Sequence, residues 1–177
     1  MNTRSEAFRK ISEFLTSDEK GLLITGTHQY EKHPLVLRAI AQTISTPSTI
    51  LFRANSMQNL GTIFEARTAN YQTGTPYKLG NHKMFIDTIN KTSWKNTRYN
   101  YDFAVLYPVD PLMRSQKLYN EIIEDLFEDR RISKVFLVSW TDRPEYDYSL
   151  LNKYVQKHVV FDALEEDPDY HKRVIER

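Results

Sequence analysis

The sequence contains no cysteine among its 177 residues. That excludes disulfide staples, thiolate metal sites and cysteine nucleophiles, and it fits a reducing compartment. Long apolar runs are missing too. The longest are about half a dozen residues, against the roughly 20 that a helix needs to cross a bilayer. Residues Met1 to Lys10 are polar and mixed in charge, without the apolar stretch of a secretory signal. These absences together predict a cytoplasmic chain with no membrane partner. Net charge is nearly absent as well, at +1, so no global attraction to nucleic acid or acidic lipid is expected. Glycine is scarce, with five in the chain, and no Gly-x-Gly-x-x-Gly run occurs.

What is present is ordinary globular material, 40% hydrophobic and 27% charged, with eleven tyrosines. The length suits one domain over residues 1–177, with an N-terminal helix over 1–17 and a charged tail over 163–177. Ala7, Phe8, Ile11, Phe14 and Leu15 have helical spacing. Leu22-Leu23-Ile24, Thr49-Ile50-Leu51-Phe52, Phe103-Ala104-Val105-Leu106, Val135-Phe136-Leu137-Val138 and Val159-Val160-Phe161 are short continuous apolar runs that predict buried strands. Helical stretches separate them: Leu35 to Ile44, Met57 to Phe64, Leu112 to Phe127 and a short one at Leu150 to Val155. From Tyr71 to Tyr99 the pattern is ambiguous, and Met84-Phe85-Ile86 reads as a strand or as a helix start. The alternation predicts an α/β fold with a central, mostly parallel sheet of about five strands and helices on both faces. Ligands of such sheets bind at the carboxyl ends of the strands, which directs attention to the loops after Thr25, Phe52, Leu106 and Val138.

The first of these loops, Gly26-Thr27-His28-Gln29-Tyr30-Glu31-Lys32-His33, lies between a strand and a helix opened by Pro34. Gly26 and Lys32 have the spacing of the glycine and lysine in a phosphate-binding loop. On those residues the chain resembles P-loop NTPases of the RecA and AAA type, in a degenerate form with both Walker motifs eroded. Glu31 stands where the second glycine of the motif lets backbone N–H groups turn toward phosphate, and His33 stands where a hydroxyl residue binds magnesium. The acidic strand-end motif is displaced: Leu106 is followed by Tyr107-Pro108, and the first aspartate is Asp110. Ser139-Trp140-Thr141 resembles the polar sensor position, and Arg143 is a candidate phosphate reader. The resemblance implies Gly26 and Lys32 as cofactor-binding positions, with Thr27, Asp110 and Arg143 as weaker ones. ATP is the cofactor it allows. The missing motif residues make hydrolysis unexpected, and no catalytic or metal-ligating residue is assigned.

A second feature is electrostatic. From Arg67 to Tyr101 six basic residues stand against Asp87 alone, a balance of +5, whereas Asp102 to Arg177 carries −5. Lys91, Trp94, Lys95 and Arg98 form the densest basic and aromatic cluster. Cations that neutralise phosphate, interleaved with rings that stack on bases, are the chemistry of a nucleic-acid surface. An alternative reading packs the aromatics on the sheet and leaves the lysines solvated. Three functions follow: a non-catalytic binding or accessory protein in a nucleic-acid transaction or macromolecular assembly, a nucleotide-dependent ATPase with a variant loop, or a protein–protein scaffold. The expected partner is single- or double-stranded nucleic acid or another protein of the same assembly.

Overall fold

A computed structural model of the chain describes residues 1–65 and 70–176. Seven strands form one sheet among the described residues: β1 (Gly21–Thr25), β2 (Thr49–Ala54), β3 (Tyr77–Leu79), β4 (His82–Thr88), β5 (Asn100–Tyr107), β6 (Arg131–Val138) and β7 (Lys157–Val160). Their order across the sheet is β3-β4-β2-β5-β6-β1-β7. Every neighbouring pair is parallel except β3 with β4. β1 therefore lies inside the sheet, with Leu22 opposite Phe136 on one side and Ile24 opposite Val159 on the other.

The helices are α1 (Arg4–Leu15), α2 (Lys32–Thr43), α3 (Leu60–Ile63), α4 (Asp110–Arg114), α5 (Gln116–Glu124) and α6 (Pro168–Ile175). Because side chains alternate along a strand, each apolar run feeds two cores. Leu22, Ile24, Ile50 and Phe52 meet Ile11 and Phe14 of α1 and Val36 and Ile40 of α2 on one face. Leu23, Leu51, Ala104 and Leu137 meet Leu112 of α4 and Ile122 and Ile123 of α5 on the other. All five residues of β1 are buried, the signature of a strand covered on both faces.

Two strands exceed the expected five. The ambiguous stretch supplies both, and Met84-Phe85-Ile86 resolves as the middle of β4, in parallel register with β2 from Thr49↔Lys83 to Ala54↔Thr88. The short helix expected at Leu150 to Val155 is a single 3-10 turn, Tyr148–Leu151, capped by the Asp147 side chain on the Ser149 N–H. The parallel strands all end on one edge, so the loops after β1, β2, β5 and β6 converge there.

Candidate functional site

Gly26 begins the loop after β1 at φ +126°, a conformation that glycine adopts without steric cost. A Cβ there would fall 2.1 Å from the carbonyl oxygen of Phe161, so the close approach of the two chain segments also requires glycine. The chain itself supplies acceptors for the backbone donors of this loop. Gly26 N–H donates to the Asp142 carboxylate. Thr27 N–H donates to Asp162 Oδ1 at 3.1 Å. His28 N–H points to the Phe161 carbonyl at 3.4 Å, and Gln29 N–H to the Tyr170 hydroxyl at 3.3 Å. Four successive amides thus meet two carboxylates, a carbonyl and a hydroxyl where a phosphate loop would present them to an anion.

Lys32, at the start of α2, is fully buried. Its ammonium donates to the carbonyl of Gly26 and, at 3.4 Å, to that of Trp140. Burial pushes its pKa down to about 8, against the attraction of Asp142, Asp110 and Asp162. Glu31, in the place of the second glycine, lies 3.0 Å from His28 Nδ1 and also pairs with Arg4 of α1, tying the loop to that helix. Thr27 is held through its own hydroxyl, which accepts from Ala163 N–H at 2.9 Å and pairs with His171 Nδ1 at 2.8 Å. Residues Phe161 to His171, including the first turn of α6, therefore strap across the loop.

The positions that the motif comparison would give to metal binding make other contacts. His33 stacks on Tyr107 at 4.1 Å between ring centres, and its Nε2 lies 2.7 Å from the Ile63 carbonyl. Burial lowers the His33 pKa to about 4, so the ring is neutral and Nε2 carries the proton it donates. Tyr107 ends β5 and donates its hydroxyl proton to the Gln29 carbonyl at 2.9 Å. Asp110 is buried at the head of α4, where its carboxylate accepts from Trp140 N–H (2.7 Å), Thr141 N–H (2.9 Å) and Thr141 Oγ1 (2.8 Å). Arg143 is exposed, 3.9 Å from Glu145, and lines a cavity of about 440 Å³ with Thr27 and Gln29 of the loop.

Among solved structures the chain is similar to the large terminase from the thermophilic bacteriophage D6E, with 11% identity and a TM-score of 0.59. The fold is P-loop NTPase-like. The match covers 97% of this chain and 48% of that one, so this chain spans about half the terminase's length. No family model and no curated protein matches the sequence.

The basic cluster is divided by the fold. Lys91 and Lys95 lie exposed on a 3-10 stretch, Lys91–Asn96, and Arg98 follows it at the surface beside Tyr99. Trp94 turns inward: its indole N–H donates to the Thr88 carbonyl at 2.7 Å and its ring lies 4.2 Å from the Arg53 guanidinium carbon. Arg53 covers a face of its ring, and Trp94 also lines the groove of Lys91 and Lys95 while remaining 9% exposed. Lys91 and Lys95 share a groove of about 850 Å³ with Glu121, Glu124 and Asp129, carboxylates that reduce the positive potential there. Arg67, the first basic residue of the segment, lies outside the described residues.

Sequence reasoning missed the loop's occupants. Asp142 and Asp162 lie 116 and 135 residues from the amides they cap. Asp142-Arg143-Pro144 reads as an exit turn, and only the position of that turn after β6, beside β1, signals a contact with the loop.

Proposed function

We propose that this is a non-catalytic binding protein on a P-loop-like scaffold, acting as an accessory in a nucleic-acid transaction or macromolecular assembly. The observation that carries this reading is that each amide from Gly26 to Gln29 already has an acceptor within the chain. ATP would have to displace two carboxylates and the strap from Gly26 to Gln29, then recruit a lysine that already donates to two carbonyls. A magnesium ion would meet a neutral, stacked imidazole at His33 and an Asp110 carboxylate that already accepts from three donors. These residues do not fit a magnesium nucleotide, and no chemical step is derived through one.

Labelled ATP titrated into the full chain, with and without magnesium, is expected to show no saturable binding. Saturable binding that disappears in Lys32→Ala overturns the reading in favour of a variant ATPase.

For the partner, a salt-dependent mobility shift of single-stranded DNA, weakened in the Lys91→Ala/Lys95→Ala double variant, supports nucleic acid. The carboxylates in the same groove favour a second reading, a protein partner within an assembly. Absence of any shift at low salt selects it.

A further inference from the structure

At the carboxyl edge of the sheet, between the loop after β1 and the ends of β2, β5 and β6, lies a cavity of about 270 Å³. Its walls include Tyr30, Trp140 and Tyr107, and its polar groups come from Asn55, Asn59 and Thr62. Among the described residues, no charged side chain lines it. Tyr30 and Trp140 are 51% and 39% exposed, unusual for residues that otherwise bury well, and their rings stand 6.4 Å apart at 56°. They form a tilted aromatic pair whose outer faces stay exposed at this jaw of the cavity. Asn55 lines the cavity, and its Oδ1 is buried without a hydrogen-bond partner among the described residues, so the amide must turn to offer that acceptor to a ligand.

The rebuilt phosphate loop holds this jaw in place. Trp140 is fixed at both backbone ends, its N–H on Asp110 at 2.7 Å and its carbonyl within 3.4 Å of Lys32 Nζ. Tyr30 follows Gln29, whose carbonyl accepts from Tyr107. Lys32, Asp110 and Tyr107 stand at the positions that suggested nucleotide chemistry, and each now anchors backbone beside the two exposed rings.

We propose that this cavity binds one uncharged heteroaromatic ring, a nucleobase, stacked on Trp140 or Tyr30 with its polar edge turned to Asn55, Asn59 and Thr62. Aromatic faces bind every base through its π-face, while asparagine amides offer the paired donor and acceptor that a base edge requires. The volume equals roughly nine waters, room for one bicyclic ring with its sugar and any phosphate left outside the opening. The described lining residues carry no charge that would hold a phosphate inside it. The base belongs either to a free nucleoside or to an unpaired position in a strand. The second source rests on the nucleic-acid reading above; the ring site itself does not.

The probes are adenosine, guanosine, cytidine and thymidine, added to the full chain while tryptophan fluorescence is followed. Of the two tryptophans, Trp94 is buried away from the cavity, so quenching reports Trp140. The expected result is saturable quenching by at least one nucleoside at about 1 mM or below, unchanged between about 50 mM and 500 mM salt. Tyr30→Ala, at an exposed position that folding tolerates, is expected to weaken it about tenfold. A single-stranded oligonucleotide that binds more tightly than its nucleosides, and loses that gain in Lys91→Ala/Lys95→Ala, assigns the base to a strand. No gain assigns it to a free nucleoside. Quenching with no oligonucleotide shift keeps the ring site and removes the nucleic-acid function; a shift with no quenching does the reverse. The proposal is overturned if no nucleoside quenches, if Tyr30→Ala leaves quenching unchanged, or if ATP binds more tightly than adenosine.

Discussion

Arg53 and Lys32 are both cations with no solvent exposure, yet the first sits in a closed ring of partners and the second among carbonyls. Arg53 makes a two-pronged contact with Asp87, both bonds at 2.8 Å, and a third at 2.8 Å with Asp125. Asp125 is shared with Arg130 at 2.8 Å, and Thr97 Oγ1 donates to Asp87 at 3.0 Å. Burial pushes the Arg53 pKa down, and the bonds and charges of Asp87 and Asp125 more than reverse it. At Lys32 the corresponding carboxylates are turned to backbone amides or to Trp140 and Thr141, so burial wins and the pKa falls to about 8. One cation is locked by two carboxylates, between β2, β4 and the helical turn Asp125–Asp129 that follows α5. The other donates to two carbonyls, with no carboxylate bonded to it among the described residues, at the edge of the sheet where ligands of this architecture bind.

Removing the cation from the closed ring is the sharpest way to break the comparison. Arg53→Met leaves Asp87 and Asp125 buried with fewer partners, and a broken buried pair costs about 3–5 kcal/mol. Urea denaturation is expected to show that loss, and adding Asp87→Asn should recover part of it by removing one stranded charge. A loss below about 1 kcal/mol would mean that the ring is not what holds β2 to β4.

The open cation predicts a pH dependence of the opposite character. A lysine whose pKa falls from 10.5 to about 8 on folding carries a penalty at neutral pH. Between those values the unfolded chain holds the proton and the folded chain does not, so stability rises with pH. The gain from Lys32 between about pH 7 and 9.5 is expected to be about 2 kcal/mol. Comparing urea midpoints of the parent chain and Lys32→Met across that range isolates it, because the methionine variant loses this contribution. Equal pH slopes in the two proteins would place Lys32 in a wetter or better paired setting than its two carbonyl contacts imply.

The same contrast explains which parts of the molecule were legible. β1, β2, β5 and β6 declare themselves as unbroken apolar runs because both of their faces are covered. β4 hides because it opens on His82 and Lys83 beside the Gly80-Asn81 turn, and β3 because it is a three-residue edge strand with Lys78 exposed. In the loop, the spacing of Gly26 and Lys32 is visible, and the positive φ of Gly26 agrees with it. The direction of the lysine is not visible, since spacing fixes a Cα and leaves a four-carbon side chain free to turn inward. Nor are the carboxylates that cap the amides, which arrive from the ends of β6 and β7 by topology alone. The basic cluster divides for a similar reason: a tryptophan among lysines reads as a stacking surface until Arg53, from another strand, is found against its ring.

The smallest effect tests whether the loop and the aromatic jaw act together. Tyr107→Phe removes one hydroxyl and keeps the ring that stacks on His33. Burial raises the tyrosine's pKa, so in the parent chain the hydroxyl remains a donor to the Gln29 carbonyl throughout the range in which the protein would be studied. Losing that bond leaves a buried acceptor unpaired and is expected to cost about 1 kcal/mol, well below the Arg53 variant. Its second consequence is more telling. Gln29 precedes Tyr30, so loosening its carbonyl frees one side of the cavity while Trp140 stays fixed by Asp110 and Lys32. Nucleoside quenching in Tyr107→Phe should therefore weaken by a smaller factor than in Tyr30→Ala. A stability loss with unaltered quenching would separate the rebuilt loop from the ring site and leave Tyr107 as a packing residue only.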